Sequence, residues 1–192
     1  MNKKLALALC TSAVLAATAT GCGDDTDEQT DAWAEKVCSQ VEPQAEKIKN
    51  ANAAISEVSG EDSPPAEVQK ADSQAFQQLS EAYGALAQAV NKAGDPPVDN
   101  GAELRENAVQ ELNDISDAYA GLKKRVDGLD VKDQGEFADG LNGIVEELNQ
   151  LGQGGDDALN DLQSGELGQA MSEQDGCRRP GASGGEESPD AS

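Results

Sequence analysis

Leu112, Ile115, Tyr119, Leu122, Val126 and Leu129 follow one another at steps of 3, 4, 3, 4 and 3, and Leu104 and Ala108 extend the stripe backward. Spacing of this kind puts every apolar side chain on one face of an α-helix, in the register of a heptad seam. Phe76, Leu79, Tyr83, Leu86, Val90 and Ala93 repeat the pattern. So do Phe137, Leu141, Ile144, Leu148, Leu151, Gly155, Ala158 and Leu162. Trp33, Val37, Val41, Gln44, Ile48, Ala51, Ile55 and Val58 form a weaker version. The pattern predicts four amphipathic helices.

The residues between these stretches are helix punctuation. Ser59-Gly60 and Ser63-Pro64-Pro65 separate the first from the second, with Pro65 at a first-turn position where a missing N–H costs nothing. Gly94-Asp95-Pro96-Pro97 ends the second, and Asn100 with Glu103 has capping-box spacing for the third. Gly128 followed by Asp130 is placed to stop one helix and cap the next. Short connections between long helices favour antiparallel neighbours, so the expected fold is all-α: an up-down-up-down four-helix bundle with coiled-coil-like packing. Pro43 should kink or restart the first helix, and Gly152, Gly154 and Gly155 should fray or break the fourth.

Composition alone is ambiguous about folding. Residues 31–177 hold 28 Leu, Ile, Val and Phe in 147, about the level at which a highly charged chain approaches disorder. The periodicity decides for a folded domain, although many seam positions are Ala and bury little area.

The N-terminus has a different character. Lys3 and Lys4 precede the 16-residue apolar run Leu5 to Thr20, which is short of the roughly 20 residues that span a bilayer. Ala19-Thr20-Gly21 directly before Cys22 resembles the lipobox of bacterial lipoproteins, departing from it at Ala19, where Leu is commonest. Residues 1–21 are accordingly read as a cleaved signal peptide, and Cys22 as the residue that receives a diacylglyceryl group and anchors the protein outside the cytoplasm. Cys10, preceded by Leu9, is a poorer candidate, and plain secretion with an incidental Cys22 is the alternative. Residues 22–30, which include Asp24-Asp25-Thr26-Asp27-Glu28, read as an acidic tether, residues 31–177 as the helical domain, and residues 178–192 as a disordered tail without apolar periodicity.

Of the four cysteines, Cys10 leaves with the leader and Cys22 takes the lipid. Cys38 and Cys177 remain in an oxidising compartment and are expected to form a disulfide. Topology agrees, because the start of the first helix and the end of the fourth share one end of such a bundle. That end also holds the Gly94 to Asn100 loop and the lipid, leaving the loops near 59–65 and 127–133 to face away from the membrane.

Charge and motif chemistry narrow the function. Loss of Lys3 and Lys4 leaves 12 basic against 37 acidic residues, a net charge of −25 that disfavours nucleic acid and anionic headgroups as partners. There is no His, no nucleophile elbow and no phosphate-cradling glycine loop, so neither an enzyme nor a cofactor is expected, and a His or Cys metal site is not expected either. Glu146-Glu147 and Asp156-Asp157 are helix neighbours that point in different directions, unsuited to paired acid-base work. Trp33, Tyr83 and Tyr119 lie on seams and should pack in the core, while Lys123-Lys124-Arg125 should face outward near a helix C-terminus.

Asp31-Ala-Trp-Ala-Glu-Lys-Val-Cys38, Val41-Glu-Pro-Gln-Ala-Glu-Lys-Ile48, Ala51-Asn-Ala-Ala-Ile55, Asp72-Ser-Gln-Ala-Phe76, Phe137-Ala-Asp-Gly-Leu141 and Gly176-Cys177 together resemble the small secreted lipoproteins of actinobacteria. The resemblance implies an exported, membrane-anchored helical domain and carries over no active site. Two function classes follow: a non-enzymatic envelope protein that binds another protein or acts as a spacer, and a binding module for a small molecule or cation. A tightly filled seam favours the first, and an apolar cavity between helices favours the second.

Overall fold

A computed structural model of the chain describes residues 24–60, 63–154 and 157–178. The leader, Cys10, the lipidation residue Cys22 and residues 179–192 lie outside the described residues. The described residues are helical, in the order α1 (Asp24–Val58), α2 (Pro65–Ala93), α3 (Gly101–Asp127), α4 (Gln134–Gly154), α5 (Asp157–Leu162) and α6 (Gly165–Glu173), with a closing 3-10 turn at Asp175–Cys177.

Each helix buries the face that the sequence marks as apolar. On α1 these are Trp33, Val37, Cys38 and Ala51; on α2, Phe76, Leu79 and Val90; on α3, Ala108, Leu112, Ile115, Leu122 and Val126. Polar contacts fix the directions in which they pack. The Trp33 indole Nε1 donates to the Gly94 carbonyl (2.8 Å), joining the first turns of α1 to the end of α2. The Gln69 amide, near the start of α2, donates to the carbonyls of Val126 (2.9 Å) and Leu129 (2.9 Å), at the end of α3. Between these ends the Ser116 hydroxyl donates to the Ser80 carbonyl at 2.8 Å. Helices α1, α2 and α3 are therefore successive antiparallel neighbours with α2 in the middle.

The fourth side is divided. α4 packs along α3 at the end where Leu122 and Val126 lie, and its Ile144 joins a buried cluster with Ala51, Phe76 and Leu79. It ends at Gly154, within the glycine-rich segment, where each Gly costs about 1 kcal/mol of helix stability relative to Ala. α5 then returns to α3, and α6 crosses to α1. Leu162, Leu167, Ala170 and Met171 from these short helices complete a second cluster with Trp33, Val37, Val90 and Leu112.

Cys177 meets Cys38 at the end of this path. The two are joined by a disulfide with Cα atoms 5.1 Å apart and 139 residues of sequence separation. The intervening turn comes so close to α1 that a Cβ on Gly176 would strike the Cys38 carbonyl, so only glycine fits there.

Several local expectations change. The helix begins at Asp24 rather than near Asp31, so Asp24 to Thr30 are its first turns instead of a tether, and Thr30 is already buried. Its hydroxyl donates back to the Thr26 carbonyl at 2.9 Å. Pro43 does not restart a helix. It lies on the exposed side of a helix that continues to Val58, where water can serve the Ser39 carbonyl that proline leaves without a donor. Asn100 makes no capping hydrogen bond: it adopts a left-handed backbone (φ 59°), because Gly101 is pressed against the Pro96 carbonyl. The cap of α4 is Asp133, not Asp130. The Asp133 carboxylate accepts from the backbone N–H of Gly135 (3.0 Å) and Glu136 (3.1 Å), whereas Asp130 accepts from Lys132 within the loop.

One core residue is out of keeping with its surroundings. Asp72 on α2 is 7 % exposed, and its Oδ1 has no hydrogen-bond partner. Burial raises its pKa from the ordinary 3.8 to about 6.

Two stability measurements test this account. A disulfide closing so long a loop should contribute about 5 kcal/mol by restricting the unfolded chain. Urea titrations of the oxidised protein and of Cys38→Ser should differ by that order, and equal midpoints would contradict it. Between about pH 4 and pH 6 the native Asp72 keeps a proton that the unfolded chain has released, so stability falls as pH rises through that window. Asp72→Asn should therefore stabilise the fold near pH 7 by on the order of 2 kcal/mol and have little effect near pH 4. A pH-independent difference between the two proteins would refute the assignment.

Candidate functional site

The two clusters do not fill the interior evenly. In the one containing the disulfide, the side chains line a half-open cavity of about 700 Å³. α1 contributes Val37 and Val41 to its wall, and α2 contributes Tyr83, Leu86 and Val90. Leu112 comes from α3, Leu159 and Leu162 from α5, and Met171 from α6. The polar lining comes from the C-terminal stretch, Gln163, Ser172 and Arg178, beside the disulfide-bonded Cys177.

The void follows from the broken fourth stretch. A continuous fourth helix would project a row of side chains every three or four residues along the whole groove between α1 and α3. Here α5 supplies six residues and α6 nine, each packed on a different neighbour, and the space between them stays open. Cavities of about 300–1,000 Å³ lined by apolar groups, with a few polar ones at set positions, are the usual form of small-molecule sites.

Tyr83 stands between the two clusters. It packs against both clusters and stacks on Tyr119 with ring centroids 5.6 Å apart and planes 12° from parallel. Phe76 meets Tyr119 on the far side, with centroids 6.3 Å apart. Burial pushes both tyrosine hydroxyls above their ordinary pKa, with the neighbouring Tyr83 adding to the shift of Tyr119. Core packing therefore accounts for Trp33 and Tyr119, while Tyr83 also faces the void.

The other conspicuous groups have structural duties. Lys123 binds Asp127 at 2.6 Å and, with the Ser73 hydroxyl, holds that carboxyl below its usual pKa. Arg125 pairs with Glu147 across α3 and α4, so two members of the internal basic run and one member of the Glu146-Glu147 pair are engaged within the fold. Two further clefts are present. One, of about 750 Å³, lies between α3 and α4 beside Arg125 and Glu147; the other, of about 780 Å³, is lined by Asp99, Asp161 and Glu166 among others. Among the described residues no group of three or more Cys, Asp or Glu is arranged to hold a metal ion. The run Asp24-Asp25-Thr26-Asp27-Glu28 is helical. No described helix is long and apolar enough to cross a membrane.

The sequence marks Cys38 and Cys177 as a pair, and the fold joins them beside the cavity. It does not mark the cavity itself. The nearest signal is the cluster of glycines at 152, 154 and 155, which announces that the fourth side will not be filled by one helix. Compared with protein-family models, with curated proteins and with solved structures, the chain matches none.

Proposed function

We propose that this is a non-enzymatic protein of the cell envelope, anchored by lipid on Cys22, whose cavity binds a small apolar molecule. The observation that supports it most is the void of about 700 Å³ beside the disulfide, walled by aliphatic side chains from α1, α2, α3, α5 and α6. Its fold is read as an up-down-up-down four-helix bundle whose last member is split into α4, α5 and α6. The lipobox-like Ala19-Thr20-Gly21-Cys22 supports export and anchoring.

Burying a ligand's apolar surface there releases water from both partners, at roughly 25 cal/mol per Å². The helical frame is held in place by a covalent bond, so little ordering is required when the ligand enters. A protein-contact or spacer role ranks second. Val145 on α4 is the exposed large hydrophobic residue among those described, and a single such residue is ordinary on a protein surface.

Filling the void tests the reading. The oxidised protein should bind a lipophilic dye such as Nile red, and Val41→Trp and Leu86→Trp should each weaken that binding at least tenfold while helicity and the disulfide remain. Absence of dye binding, or equal binding by folded variants, would overturn the cavity reading. For the anchor, Cys22→Ala should move the protein from membranes into the medium, and unchanged membrane retention would contradict it.

A further inference from the structure

The cavity's polarity is segregated. The walls from α1, α2 and α3 are aliphatic except for the Tyr83 ring, whereas Gln163, Ser172 and Arg178 all belong to the C-terminal elements. A rigid polar molecule would need partners distributed around it. An amphiphile needs polar groups at one end only.

The sign of the charge is also informative. The chain has 37 acidic residues against 14 basic ones, yet among the described lining residues the one charged side chain is Arg178. The guanidinium is held near the rim by its proximity to Cys177. It binds Asp175 at 3.0 Å and donates to the Glu173 carbonyl at 3.2 Å. Its five N–H donors are not exhausted by those contacts. The Asp175 pair is an exposed one, with side chains 60 % and 90 % accessible, and such pairs contribute little, so a ligand can share or displace it.

We infer that the cavity, on the ligand-binding reading above, takes a single-chain amphiphile with an acidic head, its hydrocarbon among Val41, Leu86 and Leu162 and its carboxylate on Arg178. A carboxylate matches the planar fork of the guanidinium in a way that an alcohol does not, and charge-assisted hydrogen bonds are about twice as strong as neutral ones. The overall acidity of the protein repels anions at long range, so the preference for an acid arises locally at this rim.

The test uses the full oxidised protein and displacement of cis-parinaric acid by three competitors with the same chain: palmitic acid, cetyl alcohol and cetylamine. Palmitic acid should compete about three- to tenfold better than the alcohol, and the amine should be the weakest. Arg178→Gln should abolish the advantage of the acid over the alcohol while leaving alcohol binding and the melting temperature unchanged, and Arg178→Lys should keep part of it. Equal competition by acid and alcohol, or an advantage that survives Arg178→Gln, overturns the head-group assignment and leaves the cavity reading standing. Preference for the amine would show that the surface acidity dominates and equally overturns it. No binding of any chain overturns both.

Discussion

Three glycines in four positions at 152–155 make one long fourth helix unfavourable, and the chain beyond them is cut into helices of six and nine residues. Helices that short are unstable in isolation, because the cost of nucleating a turn is not recovered over so few hydrogen bonds. Their place in this fold depends on the covalent link from Cys177 to Cys38 and on the four side chains Leu162, Leu167, Ala170 and Met171 that they bury. The link sits at the end of the last element, where fraying would otherwise begin. It fixes α6 across α1, and α6 in turn forms part of the wall of the cavity. Stability and the candidate site therefore share one constraint.

The contrast between the two halves of the molecule has a physical source. At the far end, α4 presents a regular seam, and Ile144 fills the space between Ala51, Phe76 and Leu122. At the near end, Ala34, Ala87 and Ala108 let α1, α2 and α3 approach closely, but the short helices opposite them cannot reach across as one surface. A small-residue seam and a broken partner leave a void that a regular bundle would fill. Asp72, whose Oδ1 lacks a hydrogen-bond partner, takes no part in lining that void.

Periodicity carried most of the fold. The seam positions at Trp33, Phe76, Leu112 and Phe137 are buried as their spacing implies, and Cys38 with Cys177 could be paired by setting aside the two cysteines of the lipobox-like N-terminal segment. Local chemistry was less legible where tertiary packing decides. Asn100 has the right neighbours for a cap, yet the squeeze of Gly101 against Pro96 turns its backbone left-handed. The acidic run from Asp24 looks like a solvated spacer in composition, but it precedes Thr30 and Trp33 and joins their helix. The cavity was least legible of all, because an absence of side chains between two short helices has no residue to announce it. Arg178 illustrates the same point: it stands at the expected edge of a disordered tail, and only the disulfide beside it brings it to the rim.

The anchor and the cavity become connected once their positions along α1 are compared. Val37 on the cavity wall lies thirteen residues after Asp24, about 20 Å along a helix rising 1.5 Å per residue. On the proposed lipidation of Cys22, the cavity would belong to the part of α1 nearer the anchor. An acidic protein body is repelled by anionic headgroups, and without a covalent anchor it would not dwell there. Tethering raises the effective concentration of the cavity at the surface without adding any contact to it. On the proposed anchoring, the lipid would supply proximity and the disulfide a formed wall, and neither would require the helices to recognise the membrane themselves.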